Sequence, residues 1–225
     1  MLFRRWLQRM SALRRSPAFP ELQSVSGQMQ ARQAQFLVLD LETSGLDAKQ
    51  HHIVSAGWVC INQLQLDLSC SFYSTLRPAT DEPGTLGQSA VIHGLHQADL
   101  AGGINESEFL REFVQAAAGR VLVCHHSAME SRFLQQAFKR QFQQSPALRF
   151  VDTLALEQQR LQRKGQVVNN SALSLNQCLL RHGMPQIQAH NALEDAYGCA
   201  LLLLSQIRAR GDDLAIKALL NPHSA

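Results

Sequence analysis

FLVLDLETSG, residues 36–45, is an apolar stretch that ends in two carboxylates and a Thr-Ser-Gly turn. The apolar run predicts a buried strand, and the alternation of side chains along a strand places Asp40 and Glu42 on one face. Two neighbouring carboxylates repel each other unless a positive charge lies between them, and hard divalent cations take oxygen ligands. The pattern therefore indicates a metal site at a strand end, with an ordinary solvated strand end as the alternative.

A second segment, VLVCHHSAMESRFL at residues 121–134, is another apolar strand that enters a helix through polar residues. Glu130 precedes Phe133 and Leu134 by three and four residues, so it continues the apolar stripe that faces the core. A buried carboxylate is costly unless it is paired, hydrogen-bonded or bound to a metal. Glu130 is thus a candidate ligand, and a salt bridge to a nearby Arg is the alternative.

The third segment is HNALEDA, residues 190–196, in which Asn191 and Glu194 have the spacing of a helix start. His190 then lies on the loop just before the helix. Asp195 lies on the inward face of this helix, together with Gly198, Cys199 and Leu202. A histidine near a helix start is usually an ordinary polar residue, but here a third inward carboxylate follows it.

In this order, the three segments resemble the sequence motifs of DEDDh-type 3′–5′ exonucleases. This family includes the proofreading epsilon subunit of bacterial DNA polymerase III and its stand-alone relatives. Two smaller matches support the resemblance, since Ile92-His93-Gly94 and Asp152-Thr153-Leu154 are similar to short family segments. The resemblance covers residues 35 to 208.

The resemblance implies an enzyme that hydrolyses phosphodiester bonds at the 3′ end of single-stranded DNA, with two divalent ions, Mg²⁺ or Mn²⁺, and a histidine general base. The implied metal ligands are Asp40, Glu42, Glu130 and Asp195. The implied catalytic residues are His190 and Glu42. The implied contacts to the bound nucleotide are Thr43, Gly45, His93 and His125. A histidine with an unperturbed pKa near 6.5 suits a base that acts near neutral pH.

The chain departs from the family pattern at two positions. The acid of the second motif is normally Asp and is Glu130 here, and His126 stands where many relatives have Asn. Glu is one methylene longer, and Mg²⁺ demands near-octahedral ligand geometry. Three outcomes are open: a bent Glu130 in a working site, a slow or Mn²⁺-preferring site, or a lost metal.

Composition and charge fit a soluble nuclease without a basic clamp. The chain has 225 residues, of which 45% are hydrophobic, and no stretch approaches the roughly 18 apolar residues of a membrane span. Residues 1–35 hold six Arg and one acid, whereas the rest holds fifteen basic and seventeen acidic residues. The five cysteines have no metal-ligand spacing, which predicts buried thiols and a reducing, cytoplasmic location.

The chain is predicted to divide into a basic amphipathic helix plus linker at residues 1–34 and an exonuclease domain at residues 35–225. Arg residues alternate with apolar residues at helical spacing up to Leu13, and Pro17 and Pro20 stop the helix. This helix either packs on the domain or contacts a protein, nucleic acid or an anionic membrane surface. Its Arg-rich start also resembles an organelle transit peptide. The early end of the chain favours a stand-alone or differently recruited enzyme over a polymerase-held subunit.

The hydrophobic pattern predicts an α/β protein whose mixed five-stranded sheet has three antiparallel and then two parallel strands, flanked by helices. This architecture resembles the ribonuclease H-like exonuclease fold. Strands are predicted at 36–42, 53–61, 64–72, 120–124 and 149–152, and helices at 106–118, 127–144, 153–163, 174–182 and 191–209. The third strand has the clearest pattern, with period two across nine residues, in which polar residues alternate with Leu64, Leu66, Leu68, Cys70 and Phe72.

Two alternatives to a DNA exonuclease stay open. The first is an RNA-trimming or oligoribonucleotide 3′–5′ exonuclease, because contacts to a 2′-hydroxyl cannot be identified from this sequence. The second is a catalytically weakened, exonuclease-like nucleic-acid-binding module, which Glu130 favours and which His190 and Asp195 oppose.

Overall fold

The computed structural model describes residues 19–22, 25–77, 100–167, 169–188 and 191–220. The predicted N-terminal helix lies outside the described residues, as do His93 and His190. In the part of the chain that the structure describes, no helix is both long enough and apolar enough to cross a membrane.

A mixed sheet of five strands forms the centre of the molecule, in the order β3-β2-β1-β4-β5. Strands β1 to β3 form an antiparallel meander, and β4 and β5 continue the sheet parallel to β1, as predicted. The strands are β1 Gln35–Thr43, β2 Ile53–Asn62, β3 Gln65–Thr75, β4 Val121–Cys124 and β5 Phe150–Asp152.

Five α-helices cover the sheet in the described residues, and all five predicted helices are confirmed to within two residues at each end. They are α1 Glu106–Ala117, α2 Ser127–Phe142, α3 Thr153–Arg163, α4 Leu175–Arg181 and α5 Ala192–Arg208.

The alternating side chains of β1 contribute to two cores, one on each face of the sheet. Leu37 and Leu39 pack with the phenylalanines of α1 and α2 in the first core. Phe36 and Val38 pack against the buried face of α5 in the second core. The central strand is therefore buried on both faces, and its continuous apolar run is typical of a parallel sheet interior.

The third strand is present, but its alternating apolar residues do not all share one face. Residues 68–71 of β3 lie opposite the single residue Val59 of β2, so the strand carries a wide irregularity. Before it, Leu66 packs with the second core, and after it, Phe72 packs with the first core and stacks on Trp58 with ring centroids 3.9 Å apart. Leu68 is left 56% exposed, because extra residues in one strand change which face its side chains take.

The prediction of five free thiols is wrong for two of them. Cys60 of β2 and Cys70 of β3 form a disulfide, with their Cα atoms 6.1 Å apart. The irregularity of β3 is the cause, because it turns Cys70 to the face on which Cys60 lies. The remaining cysteines are buried free thiols, as predicted: Cys124, Cys178 and Cys199.

The described part of the predicted linker packs against the sheet. Ala31 and Ala34 are fully buried in the second core, and Ala31 N–H donates to the carbonyl of Leu214 at 2.8 Å. The segment before β1 therefore pairs with the segment after α5. The domain boundary at residue 35 stays a prediction.

A buried ion-pair cluster joins helices α3 and α4. Glu157 of α3 is fully buried, and its carboxylate accepts hydrogen bonds from Arg160 at 2.6 Å, Arg181 at 2.9 Å and His182 at 3.0 Å. The second ring nitrogen of His182 bonds to the hydroxyl of Ser205 on α5 at 2.7 Å. Burial alone would raise the pKa of Glu157, but these hydrogen bonds and the charge of Arg160 hold that pKa well below its usual range.

Candidate active site

Strand β1 delivers two acids to the end of the central strand. Val38 faces the second core, and alternation places Asp40 and Glu42 on that same face further along the strand. Glu42 is 7% exposed and Asp40 is partly exposed. The acid pair therefore lies at the border between the core and solvent.

Helix α5 supplies the third acid. Asn191 caps the helix as predicted, since its side-chain oxygen accepts from the N–H of Leu193 at 3.1 Å, and Asp195 follows in the first turn. The helix start rests on β2 at Gly57, where a Cβ would lie 2.4 Å from the nitrogen of Leu193. Because Gly57 is the cross-strand partner of Asp40, this close approach brings Asp195 to β1.

The structure brings three of the four predicted metal ligands together. Asp40, Glu42 and Asp195 each offer a carboxylate oxygen, and these oxygens lie within 4.8 Å of one another. Burial raises the pKa of Asp40 well above its usual range, and the charges of Glu130, Asp195 and Glu42 raise the pKa further. The cluster thus concentrates negative charge that a cation would offset.

Glu130 lies beside this cluster but does not belong to the group of three. The side chain is 4% exposed and faces the core from the first turn of α2. Burial raises the pKa of Glu130 to about 8, and the charge of Asp152 adds to the rise. Of the neighbouring charges, Glu130 has the largest effect on Asp40, so its carboxylate is within electrostatic range of the cluster.

One oxygen of Glu130 is buried without a partner. Its Oε2 has no hydrogen bond among the described residues, and no described Lys or Arg forms an ion pair with it. A salt bridge, the alternative that the sequence left open for this acid, is therefore not formed within the described part of the chain. A buried polar atom of this kind is costly and calls for an explanation such as an unfilled ligand position.

His126 suits the backbone at the start of helix α2. The residue lies just before the helix with φ 92° and ψ 60°, in the left-handed region. Asn, Asp and His are enriched there among residues other than glycine. The same backbone conformation therefore accommodates the family's Asn and the His of this chain.

Asp152 is a residue whose role the sequence analysis missed. Its carboxylate accepts from the N–H groups of His126 at 3.1 Å and Ser127 at 2.8 Å, and from that of Leu154 at 3.0 Å. It thereby caps both α2 and α3, and so fixes the helix start that carries Glu130. The available signal was an Asp followed by a helical pattern, which predicts an N-cap for one helix but not for two.

His125 is held inside the fold. Its Nε2 lies 2.8 Å from the carbonyl oxygen of Leu173 and its Nδ1 lies 2.8 Å from the hydroxyl of Thr153. Burial lowers the pKa of His125, so the ring is neutral, with Nε2–H donating to the carbonyl. The predicted substrate contact through this ring would require one of these bonds to break.

The Thr-Ser-Gly turn after β1 is tightly packed. The hydroxyl of Thr43 donates to the carbonyl of Gly45 at 2.9 Å, and the backbone N–H of Ser44 donates to the backbone carbonyl of His52 at 2.9 Å. A Cβ at Gly45 would lie 2.5 Å from the ring of His51, so a larger residue there would displace that ring. These hydrogen bonds hold the turn next to the two acids of β1. Its contact with a nucleotide stays a prediction.

The donor set suits divalent cations that prefer oxygen. The three clustered ligand atoms are all carboxylate oxygens, which are ligands of Mg²⁺ and Mn²⁺ rather than of softer metals. The buried, unpartnered Oε2 of Glu130 beside Asp40 is a further oxygen donor. The residues present therefore fit a divalent metal site.

Comparison with known proteins defines the class. Residues 37–203 match the RNase_T family model, which is described as "Exonuclease". This match spans most of the chain, so the chain belongs to that family. The chain therefore carries an exonuclease-family domain, built on a mixed five-stranded sheet.

Curated and solved proteins agree with this class. The chain is 26% identical over 185 residues to "DNA polymerase III PolC-type" of Thermotoga petrophila, a match that covers 82% of the chain but 13% of that protein. The fold is similar to that of cell-death related nuclease 4 (CRN-4), with TM-score 0.67, 16% identity, and coverage of 82% and 67% of the two chains.

Two further structures show the same fold with different nucleic acids. One is a 3′-exonuclease that recognises the 3′ end of histone mRNA stem-loop, with TM-score 0.64, 16% identity, and coverage of 80% of this chain and 83% of the other. The other is E. coli Exonuclease I in complex with a dT13 oligonucleotide, with TM-score 0.61, 18% identity, and coverage of 79% and 42%.

Proposed function

We propose that the protein is a metal-dependent 3′–5′ exonuclease that removes nucleotides from the 3′ end of single-stranded DNA. The observation that carries this proposal is the cluster of Asp40, Glu42 and Asp195, whose carboxylate oxygens lie within 4.8 Å of one another at the end of the central strand. The cluster lies within the segment that matches the exonuclease family.

Two divalent ions, Mg²⁺ or Mn²⁺, are the proposed cofactors. Asp40, Glu42 and Asp195 would hold them, and Glu130 would complete the second site. When bound, the ions supply charge stabilisation for the attacking and leaving oxygens of an in-line phosphodiester displacement. The carboxylates for their part fix where the ions would lie, because two of them project from the end of the central strand and the third from the first turn of α5.

His190 is the proposed general base, which takes the proton of the attacking water. A histidine with an ordinary pKa accepts a proton near neutral pH. Position in the sequence supports this role, because His190 lies one residue before Asn191, which caps the helix that carries Asp195.

Glu130 is the proposed replacement for the usual aspartate of the second motif. Its buried carboxylate lies close enough to raise the pKa of Asp40, and one of its oxygens has no described partner. These two observations support a working ligand with a bent side chain. A Glu130→Asp variant tests this: a large rise in rate would mean that the longer acid weakens the site.

DNA is the proposed substrate, and RNA is the second candidate. Similarity to a polymerase PolC-type protein and to Exonuclease I with bound dT13 supports DNA. Similarity to the exonuclease that recognises histone mRNA supports RNA. A contact of the basic N-terminal segment with a protein or an anionic surface stays a prediction from the sequence.

The deciding experiment uses 5′-labelled single-stranded DNA and RNA of the same sequence, with Mg²⁺, Mn²⁺ or EDTA. We expect the DNA to shorten stepwise from its 3′ end with either metal, and EDTA to stop the reaction. Faster degradation of the RNA would reverse the choice of substrate. If neither strand is degraded with either metal, the weakened binding module becomes the better account.

A further inference from the structure

We propose that Asn176 is a positioning residue for the exonuclease reaction, because its side chain anchors the segment that leads into His190. The inference rests on the proposed function in one respect, namely that His190 acts as the general base. Asn176 itself belongs to helix α4, and its side-chain amide pairs with the backbone of Ile187.

The anchor is a two-point bond between one side chain and one backbone unit. The amide Nδ2 of Asn176 donates to the carbonyl of Ile187 at 3.1 Å, and the Oδ1 of Asn176 accepts from the N–H of Ile187 at 2.9 Å. A carboxamide offers a donor and an acceptor side by side, so it can pair with a peptide unit as a neighbouring strand would. Both polar groups of Ile187 are thereby satisfied by one residue.

The side chain of Ile187 is held at the same time. It packs on the small apolar cluster of Cys178, Leu179 and Leu202. It also fits against α5 at Gly198, where a Cβ would lie 2.6 Å from Cδ1 of Ile187. Ile187 is therefore fixed through its backbone by α4 and through its side chain by α5, the helix that carries Asp195.

The described residues on either side of His190 are thus held by specific contacts. Ile187 precedes His190 by three residues, and Asn191 follows it directly. Asn191 is fixed as the cap of α5 by its bonds to the N–H groups of Leu193 and Glu194 at 3.1 and 3.2 Å. A general base must be placed accurately to contribute its full rate effect. The Asn176 anchor supplies that placement from the N-terminal side.

The test is a double-mutant cycle with Asn176→Ala and His190→Ala in the full chain, on a 5′-labelled DNA oligonucleotide with Mn²⁺. We expect Asn176→Ala to lower kcat by about tenfold or more, since a misplacement near 1 Å can cost about a hundredfold. KM should change by less than about twofold. In the His190→Ala background, Asn176→Ala should lower kcat by less than about twofold, because its effect passes through His190.

A second readout does not depend on activity. Hydrogen exchange measured by mass spectrometry should become faster in the peptide that spans residues 184–191 of Asn176→Ala, while the peptides of β1 are unchanged. The control is Asn105→Ala, which also removes an asparagine side chain that bonds to the backbone. Asn105 caps α1, and its Oδ1 accepts from the N–H of Glu108 at 2.8 Å. This variant should keep the kcat of the wild type and the exchange of residues 184–191.

The outcomes separate this inference from the proposed function. A His190→Ala variant with the kcat of the wild type would refute the general base, and the inference with it. If His190→Ala has a much lower kcat than the wild type but Asn176→Ala has the kcat of the wild type, the general base stands and this inference alone is overturned. An equal loss from Asn176→Ala in both backgrounds would also overturn it, because the residue would then act by a path that does not involve His190.

Discussion

Replacing Gly57 by alanine should disable the acid cluster without removing any acid. Gly57 lies under the start of α5, where an added Cβ would be 2.4 Å from the nitrogen of Leu193 and 2.5 Å from the carbonyl carbon of Ala192. Both are backbone atoms of the helix, so no side-chain rotation can relieve the clash. Non-bonded atoms need about 3.5 Å, and the helix start must therefore retreat by about 1 Å.

This retreat moves Asp195, which lies in the first turn of the displaced helix. A misplacement of about 1 Å at a reacting site can lower kcat by about a hundredfold, or about 2.7 kcal/mol in transition-state free energy. Overpacking should also lower the free energy of unfolding by about 1–3 kcal/mol. The predicted variant is thus folded, somewhat less stable, and severely impaired in both catalysis and Mn²⁺ affinity.

The assay measures kcat on a 5′-labelled oligonucleotide, Mn²⁺ binding by calorimetry, and urea unfolding. Gly102→Ala is the matched control, because a Cβ there would meet nothing within 4 Å. It should behave as the wild type in all three measurements. A Gly57→Ala variant with the kcat and the Mn²⁺ affinity of the wild type would refute the reasoning that the approach of α5 to β2 holds Asp195 in place.

Three further predictions concern stability. Burial raises the pKa of Glu130 from 4.5 to about 8. Between these pH values the unfolded chain has released a proton that the folded protein retains. The free energy of unfolding of the metal-free protein should therefore fall as pH rises from about 5 to about 8. Glu130→Gln should make this fall smaller in urea titrations, and equal slopes for both proteins would contradict it. Glu157→Gln leaves the partly buried Arg160 and Arg181 without their counter-charge and should cost about 1–3 kcal/mol, whereas the exposed control Glu112→Gln should cost nothing measurable. The Cys60–Cys70 disulfide joins residues 10 apart in the chain, and its reduction should lower the free energy of unfolding by about 2–3 kcal/mol. A thiol titration that counts five reactive thiols in the unfolded chain without reductant would show that the bond is not formed.

The sequence was sufficient for features that depend on local periodicity. The apolar run of β1 and its two same-face acids follow from alternation along one strand, and Asp195 on the inner face of α5 follows from helical spacing. The cap at Asn191 follows from residue type and position. Each of these predictions needs information from only a few neighbouring residues.

Features that depend on contacts between distant segments were missed. The irregularity of β3 at residues 68–71 is defined only relative to Val59 on β2, so strict alternation does not predict the face on which Leu68 lies. The double cap by Asp152 needs β5 to end beside the start of α2. The Asn176 anchor likewise joins residues 11 apart in the chain. The close approach at Gly57 was missed as well, although an isolated glycine in a strand pattern is a signal of such an approach.

The central claim is that the carboxylates of Asp40, Glu42 and Asp195 form the catalytic metal site. The most direct test compares the shortening of a 5′-labelled single-stranded DNA with Mg²⁺ by the wild type, by Asp40→Asn and by Asp47→Asn. Asp47 is an exposed aspartate in the loop after β1, so its variant controls for loss of charge nearby. The account predicts stepwise 3′ shortening by the wild type and by Asp47→Asn, and none by Asp40→Asn. Undiminished shortening by Asp40→Asn would contradict the account.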